Sequence, residues 1–131
     1  VDDTELLDAA RDACENAYAP YSAYRVGAAL RTADGAVYVG ANVENANYSN
    51  SLHAEEVALG SAVRDGHDAF ERLVVTSAAR DGVTPCGMCR QTFVEFCDDD
   101  FPIYCDTGDG VERHALGDLI PETITAANLD A

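Results

Sequence analysis

Apolar side chains recur through residues 3–18 at Leu6, Leu7, Ala10, Cys14, Ala17 and Tyr18, the spacing of one helical face, while Asp2, Asp3 and Glu5 stand where a helix dipole favours negative charge. The spacing predicts an opening amphipathic helix stopped at Pro20. Beyond the turn Ala19-Pro20-Tyr21-Ser22, a strand is predicted from Arg25 to Thr32 and a second from Ala36 to Glu44. Asp34-Gly35 joins them as a hairpin whose far end is Asn42-Val43-Glu44-Asn45.

Ser49-Asn50-Ser51 reads as an N-cap region, and Leu52, Val57, Ala58, Leu59, Ala62 and Val63 give a helix over 52–64 that ends before Gly66. His53 and Glu55 then fall in its first turn. The β-branched run Arg72-Leu73-Val74-Val75-Thr76-Ser77 reads as a strand buried on both faces. Pro85 suits a helix start, and Cys89, Phe93, Val94, Phe96 and Cys97 supply an inward face. Pro102–Cys105 and Val111–His114 complete the strands around the turn Gly108-Asp109-Gly110, and Leu116–Ile120 is a short helical turn. This order predicts an α/β fold, a mixed five-stranded sheet with helices on its faces. The first pair should be antiparallel, and crossovers through the two helices after it should make neighbouring strands parallel.

Two segments carry chemistry. Pro85-Cys86-Gly87-Met88-Cys89 places two thiols three positions apart at a helix start, and His53-Ala54-Glu55 offers an imidazole and a carboxylate. Two thiolates and one imidazole fill three of the four tetrahedral positions that Zn²⁺ prefers, and an open fourth position distinguishes a catalytic zinc from a structural one. Glu55, two residues after a ligand, is placed to carry protons there. Helix N-termini favour thiolates through their dipoles and free N–H groups. No second C-x-x-C or H-x₃₋₅-H is present to close a structural site, and a redox-pair reading leaves His53 and Glu55 unused.

Composition narrows the picture. The 131 residues, 47% of them hydrophobic, suffice for one domain over residues 1–131. Short apolar runs and an acidic start give no sign of membrane insertion or secretion, so a cytoplasmic protein is expected. The odd count of five cysteines agrees: Cys86 and Cys89 go to metal, and Cys14, Cys97 and Cys105 sit in apolar stretches as buried thiols. Against 24 acidic residues there are 8 basic ones, all Arg, and the net charge of −16 argues against a nucleic-acid partner. Abundant Asp with no Lys resembles the proteins of salt-loving organisms, in which concentrated cations screen such repulsion.

The two segments together form the H-x-E and P-C-x-x-C signature of zinc nucleobase deaminases. With Ala19-Pro20-Tyr21-Ser22, Val26-Gly27-Ala28-Ala29-Leu30, Asn42-Val43-Glu44-Asn45-Ala46 and Cys89-Arg90-Gln91, the chain closely resembles the small single-domain cytidine deaminases over about residues 6 to 129. The resemblance implies their three-layer α/β/α fold, hydrolysis of cytidine or deoxycytidine to the uridine product, one zinc per chain and a homotetramer. It further implies that Asn42 and Glu44 hold the sugar, with Glu44 at the 3′-hydroxyl, and that the Ala54 and Cys86 backbones hold the base.

Several positions depart from that pattern. Small tetrameric members typically have three Cys ligands, whereas this chain has His53, and Glu56 stands where three-Cys sites commonly have an Arg. The two changes look coupled, because Zn²⁺ with three thiolates is an anion whereas with two thiolates and a neutral His it is uncharged. Tyr24 replaces the usual Phe against the base, and Ile124 stands where many tetrameric members send a Phe into a neighbouring site. A blasticidin S-type deaminase, a nucleic-acid editor and a non-catalytic zinc-binding assembly module are the competing readings. Asn42 and Glu44 favour a free nucleoside, the acidic surface opposes an editor, and Glu55 has no role in a structural site.

Overall fold

The computed structural model describes residues 3–129, so the expected contribution of Asp2 to the first helix lies outside the described residues. The elements are α1 (Asp3–Cys14), β1 (Val26–Thr32), β2 (Val37–Ala41), α2 (Ala54–Arg64), β3 (Phe70–Ser77), α3 (Gly87–Val94), β4 (Pro102–Asp106), β5 (Val111–Ala115), α4 (Leu116–Leu119) and α5 (Ala126–Leu129). A single 3₁₀ turn at Tyr48–Asn50 precedes α2.

The five strands form one sheet in the order β2-β1-β3-β4-β5. Alternation along the central strands explains the layering. Ala28, Leu30, Leu73 and Val75 pack with Ala54, Ala58, Leu59, Ala62 and Phe93 of α2 and α3, whereas Ala29 and Val74 pack with Leu6 and Ala10 of α1. The sheet is therefore covered on both faces, and Leu73–Ser77 is buried throughout, as its unbroken apolar run predicts.

One expectation about the sheet is corrected. The crossover through α3 does join the parallel neighbours β3 and β4, but β3 pairs antiparallel with β1. The crossover through α2 therefore steps over β1, which lies between β2 and β3. Local periodicity gives each strand's buried faces but not which strand lies beside it, so this order was not readable from the pattern.

Three of the boundaries that moved do so around Val43. Its N–H donates to the Leu52 carbonyl at 3.0 Å and its carbonyl accepts from the Leu52 N–H at 2.8 Å. On its other side the Tyr18 N–H donates to Asn42 at 2.9 Å, and the Glu44 N–H donates to Tyr18 at 2.8 Å. Tyr18 and Leu52 are thus committed to bridges with an extended Val43, a role no helical residue could fill. The first helix stops at Cys14 instead of running to 18, and the second begins at Ala54 with His53 as its N-cap in place of Ser49-Asn50-Ser51. Regular β2 ends at Ala41 rather than Glu44, and Pro85 lies one residue before Cys86, the N-cap of α3.

Gly40 lets α2 approach β2. A Cβ there would overlap the Ala54 carbonyl oxygen and lie 2.7 Å from the Ala58 nitrogen. Only glycine allows the first turn of α2 to sit this close to the sheet.

Candidate active site

The start of α2 and the start of α3 face one another. His53 caps one, Cys86 caps the other, and Cys89 lies in the first turn of α3. His53 Nδ1 is 3.1 Å from Cys86 Sγ and 3.3 Å from Cys89 Sγ, and the three donor atoms all lie within 4.8 Å of one another. Tetrahedral bonds of about 2.0–2.3 Å put adjacent donors roughly 3.5 Å apart, so this triangle is of the right size for zinc. The donor chemistry agrees: two sulfurs and one imidazole nitrogen form a borderline-soft set that favours Zn²⁺ over Mg²⁺ or Ca²⁺. Burial pushes the Cys89 thiol far above its ordinary pKa, and the charges of Glu55, Cys86 and Glu56 push in the same direction. A thiolate at Cys89 is stable in such a place only against a cation. The residues present therefore fit one zinc ion.

Glu55 is the second residue of α2 and is 5% exposed, a carboxylate enclosed at the foot of a pocket. Burial raises its pKa, opposed by its own backbone N–H and by His53. The pocket has a volume of about 300 Å³, at the lower end of the range for small-molecule sites. Tyr24, Asn42, Glu44, His53, Ala54, Glu55 and Cys86 all line it, so the structure brings these expected site residues together. Cys89 does not line the pocket and is completely buried behind it.

The neighbours of Glu44 explain the Ala19-Pro20-Tyr21-Ser22 segment. Glu44 Oε1 accepts from the backbone N–H groups of Tyr21 at 2.9 Å and Ser22 at 3.1 Å, and its Oε2 accepts from the Ser22 hydroxyl. The Ser22 hydroxyl bond, aided by the two N–H bonds, holds the carboxyl below its ordinary pKa. Asn42 is more heavily engaged than the sequence reading anticipated. Its Oδ1 accepts from the Val26 N–H at 2.9 Å and its Nδ2 donates to the Tyr24 carbonyl at 2.9 Å, which leaves one Nδ2 hydrogen for a ligand.

Several supporting residues escaped the sequence reading. Arg90 Nε donates to the Pro85 carbonyl at 2.6 Å, Nη1 to the Leu119 carbonyl at 2.6 Å and Nη2 to Thr84 Oγ1 at 3.0 Å, which fixes the approach to Cys86. The Tyr24 hydroxyl donates to Asp81 with both carboxylate oxygens at 3.0 Å, and Ser77 Oγ donates to Asp81 Oδ1 at 2.8 Å. That network ties Tyr24 to the loop carrying Val83 and Thr84, two further residues of the pocket wall. The Cys89-Arg90-Gln91 motif was the available signal for Arg90, whereas nothing in the local pattern pointed to Asp81. Ile124 is exposed, and its carbonyl accepts from Gln91 Nε2 at 2.9 Å. Among the remaining thiols Cys14 and Cys105 are buried, as expected, and Cys97 is half-buried.

Comparison with known proteins agrees with this geometry. Residues 1–105 match the family model for the cytidine and deoxycytidylate deaminase zinc-binding region. A cytidine deaminase of Sporosarcina psychrophila is 38% identical over 130 residues, covering 98% of this chain and 96% of its own. A probable cytidine deaminase of Dictyostelium discoideum is 44% identical over 102 residues, 77% of this chain and 68% of its own. The crystal structure of cytidine deaminase from Burkholderia pseudomallei superposes with a TM-score of 0.89 at 38% identity, covering 95% of this chain and all of that one. That of the Mycobacterium tuberculosis enzyme gives 0.83 at 34%, covering 95% and 98%. With the signature residues gathered around one pocket and the match extending over most of its length, the chain belongs to the cytidine and deoxycytidylate deaminase family of zinc-binding proteins.

Proposed function

We propose that the chain hydrolyses cytidine and deoxycytidine to uridine and deoxyuridine with release of ammonia, and that Glu55 carries the protons of the reaction. The observation that carries this reading is a buried carboxylate, Glu55, lining the same nucleoside-sized pocket as His53 and Cys86 of the donor triangle. Bound zinc supplies Lewis acidity, which makes water a usable nucleophile near neutral pH. Glu55 takes a proton from the attacking water and passes it to ring nitrogen N3 of cytosine. It then takes the second water proton and delivers it to the leaving amine, so water is split between the uracil product and ammonia. Burial favours its neutral form, the form that donates a proton.

Glu44 supports a nucleoside over a nucleotide. Its carboxylate, already oriented by Tyr21 and Ser22, has one acceptor site left, on Oε2, for a sugar 3′-hydroxyl, and its negative charge repels a phosphate. The remaining Nδ2 hydrogen of Asn42 supports a second sugar contact, and the Ala54 and Cys86 backbones with Tyr24 form the surroundings of the base.

The active form in this reading is a homotetramer in the cytoplasm of a salt-adapted cell. The exposed apolar side chains of Tyr18, Tyr21, Tyr48 and Leu52, the last of them lining the pocket, support burial against further copies, and the charge of −16 supports adaptation to salt. No described helix is long and apolar enough to cross a membrane. The test is an absorbance assay on cytidine, deoxycytidine, cytosine and CMP at low and molar KCl, with light scattering in parallel. Turnover of both nucleosides, little of CMP, and a tetrameric mass at high salt are expected. CMP turned over faster than cytidine would overturn the nucleoside reading.

A further inference from the structure

Glu56 stands at the third position of α2 and turns back toward the helix start. Its Oε1 accepts from the His53 backbone N–H at 2.7 Å, the returning half of a capping box. The peptide group between Leu52 and His53 is thereby held at both ends, since its carbonyl accepts from the Val43 N–H at 3.0 Å. The next peptide is held as well, because the His53 carbonyl accepts from the Val57 N–H at 3.0 Å.

Backbone control matters more for this ligand than for most. The ring nitrogen facing the two sulfurs is Nδ1, two bonds from Cβ, so any displacement of the His53 backbone passes almost undiminished to the donor atom. Metal-binding histidines are commonly oriented through a hydrogen bond from the other ring nitrogen. Here the His53 side chain and the Glu56 backbone N–H form the other half of the capping box, so the ligand is tied to the third position of α2 through both its backbone and its side chain. We propose that Glu56 is a positioning residue for zinc, acting by capping the backbone of His53 rather than through its charge. The proposal rests on His53, Cys86 and Cys89 being the zinc site.

Reach and charge are separable in variants. Glu56→Gln keeps an acceptor oxygen at the same distance and removes the charge. Glu56→Asp keeps the charge and the favourable interaction with the helix dipole but falls a methylene short. Glu56→Ala loses both. The readouts are the zinc dissociation constant of each apoprotein, measured by competition with a chromophoric chelator, and the d–d absorption bands after loading with Co²⁺, which report donor geometry. Wild type and Glu56→Gln should agree within about threefold and share one spectrum. Glu56→Asp and Glu56→Ala should bind roughly 10–100-fold more weakly, the usual cost of losing a group that orients a ligand, with shifted bands. If Glu56→Ala fails to fold, the Gln and Asp variants still decide the question. Zinc affinity and bands unchanged in Glu56→Asp, or an equal loss in Glu56→Gln and Glu56→Asp, would overturn the proposal. Cys89→Ala tests the underlying site separately: loss of zinc there beside wild-type behaviour of all Glu56 variants would remove the positioning role and leave the metal site intact.

Discussion

Replacing Gly40 by Ala tests whether the distance between β2 and α2 sets the active site. The added Cβ overlaps the Ala54 carbonyl oxygen and comes within 2.7 Å of the Ala58 nitrogen and 3.0 Å of Val57 Cβ. Two of these obstacles are backbone atoms of α2, which no rotamer change can move. Restoring normal contact distances of about 3.5 Å requires the helix start to withdraw by on the order of 1 Å. Overpacking of this kind costs roughly 1–3 kcal/mol, which for a chain of this size lowers the Tm by on the order of 5–15 °C. The same withdrawal carries His53 and Glu55 with it, and a 1 Å misplacement of reacting groups costs about 10²-fold in rate. Thermal unfolding and kcat/KM for cytidine should therefore fall together. Gly60→Ala is the control: it lies in the same helix with nothing within 4 Å of the added Cβ, so it should stabilise by about 0.5–1 kcal/mol and leave kinetics alone. Gly27→Ala meets Ala10 and Cys14 of α1 with similar severity, but α1 carries no residue lining the pocket, so it should lower Tm while sparing the activity of the folded protein. Gly40→Ala with wild-type kcat/KM would refute the link between this glycine and the site.

Three further outcomes follow from named contacts. Burial alone would raise the pKa of Asp106, but two bonds from Arg11, the Gly108 N–H and the Thr76 hydroxyl outweigh it and hold the carboxyl at about 2. The folded pKa lies below the unfolded value of about 3.9, so the group contributes roughly 2–3 kcal/mol that is present above pH 4 and lost as pH falls toward 2. Asp106→Asn should remove that acid-limb loss from the unfolding free energy, and an unaltered acid limb would contradict the assignment. Glu44→Ala should raise KM for cytidine by about 10-fold or more and erase the preference for cytidine over 3′-deoxycytidine, whereas a preserved preference would exclude the 3′-hydroxyl contact. Tyr24→Phe removes the tie to Asp81 and should raise KM about fivefold with kcat little changed; an unchanged KM would show that the Asp81 network does not shape the pocket.

The sequence revealed those parts of the fold that depend on local periodicity and those parts of the site that depend on reactive atoms. The faces of α1, the double-sided burial of Leu73–Ser77, and the meeting of His53 with Cys86 and Cys89 at two helix starts were all legible. Features that depend on distant backbone pairing were not. Tyr18 and Leu52 have apolar side chains in helical register with their neighbours, and only their bridges to Val43 show why neither is helical. The same bridges bring segments 18–24, 42–44 and 52–55 to one pocket. Strand order was hidden for a similar reason, since nothing within β3 marks β1 rather than β2 as its neighbour. Glu56 illustrates the limit most clearly. Its sequence position invited an argument from charge, whereas its carboxylate accepts from a backbone N–H that also exists in every other residue but proline.

In the proposed reaction Glu55 carries protons beside a zinc it does not bind. The direct measurement is turnover of cytidine by Glu55→Gln, with zinc content determined on the same preparation. One zinc per chain, an unchanged fold and a kcat lower by at least about 10²–10⁴-fold are expected, because one carboxylate serves successive transfers. Near-wild-type kcat with full zinc would contradict the role of Glu55, and loss of zinc would show it to be a ligand instead.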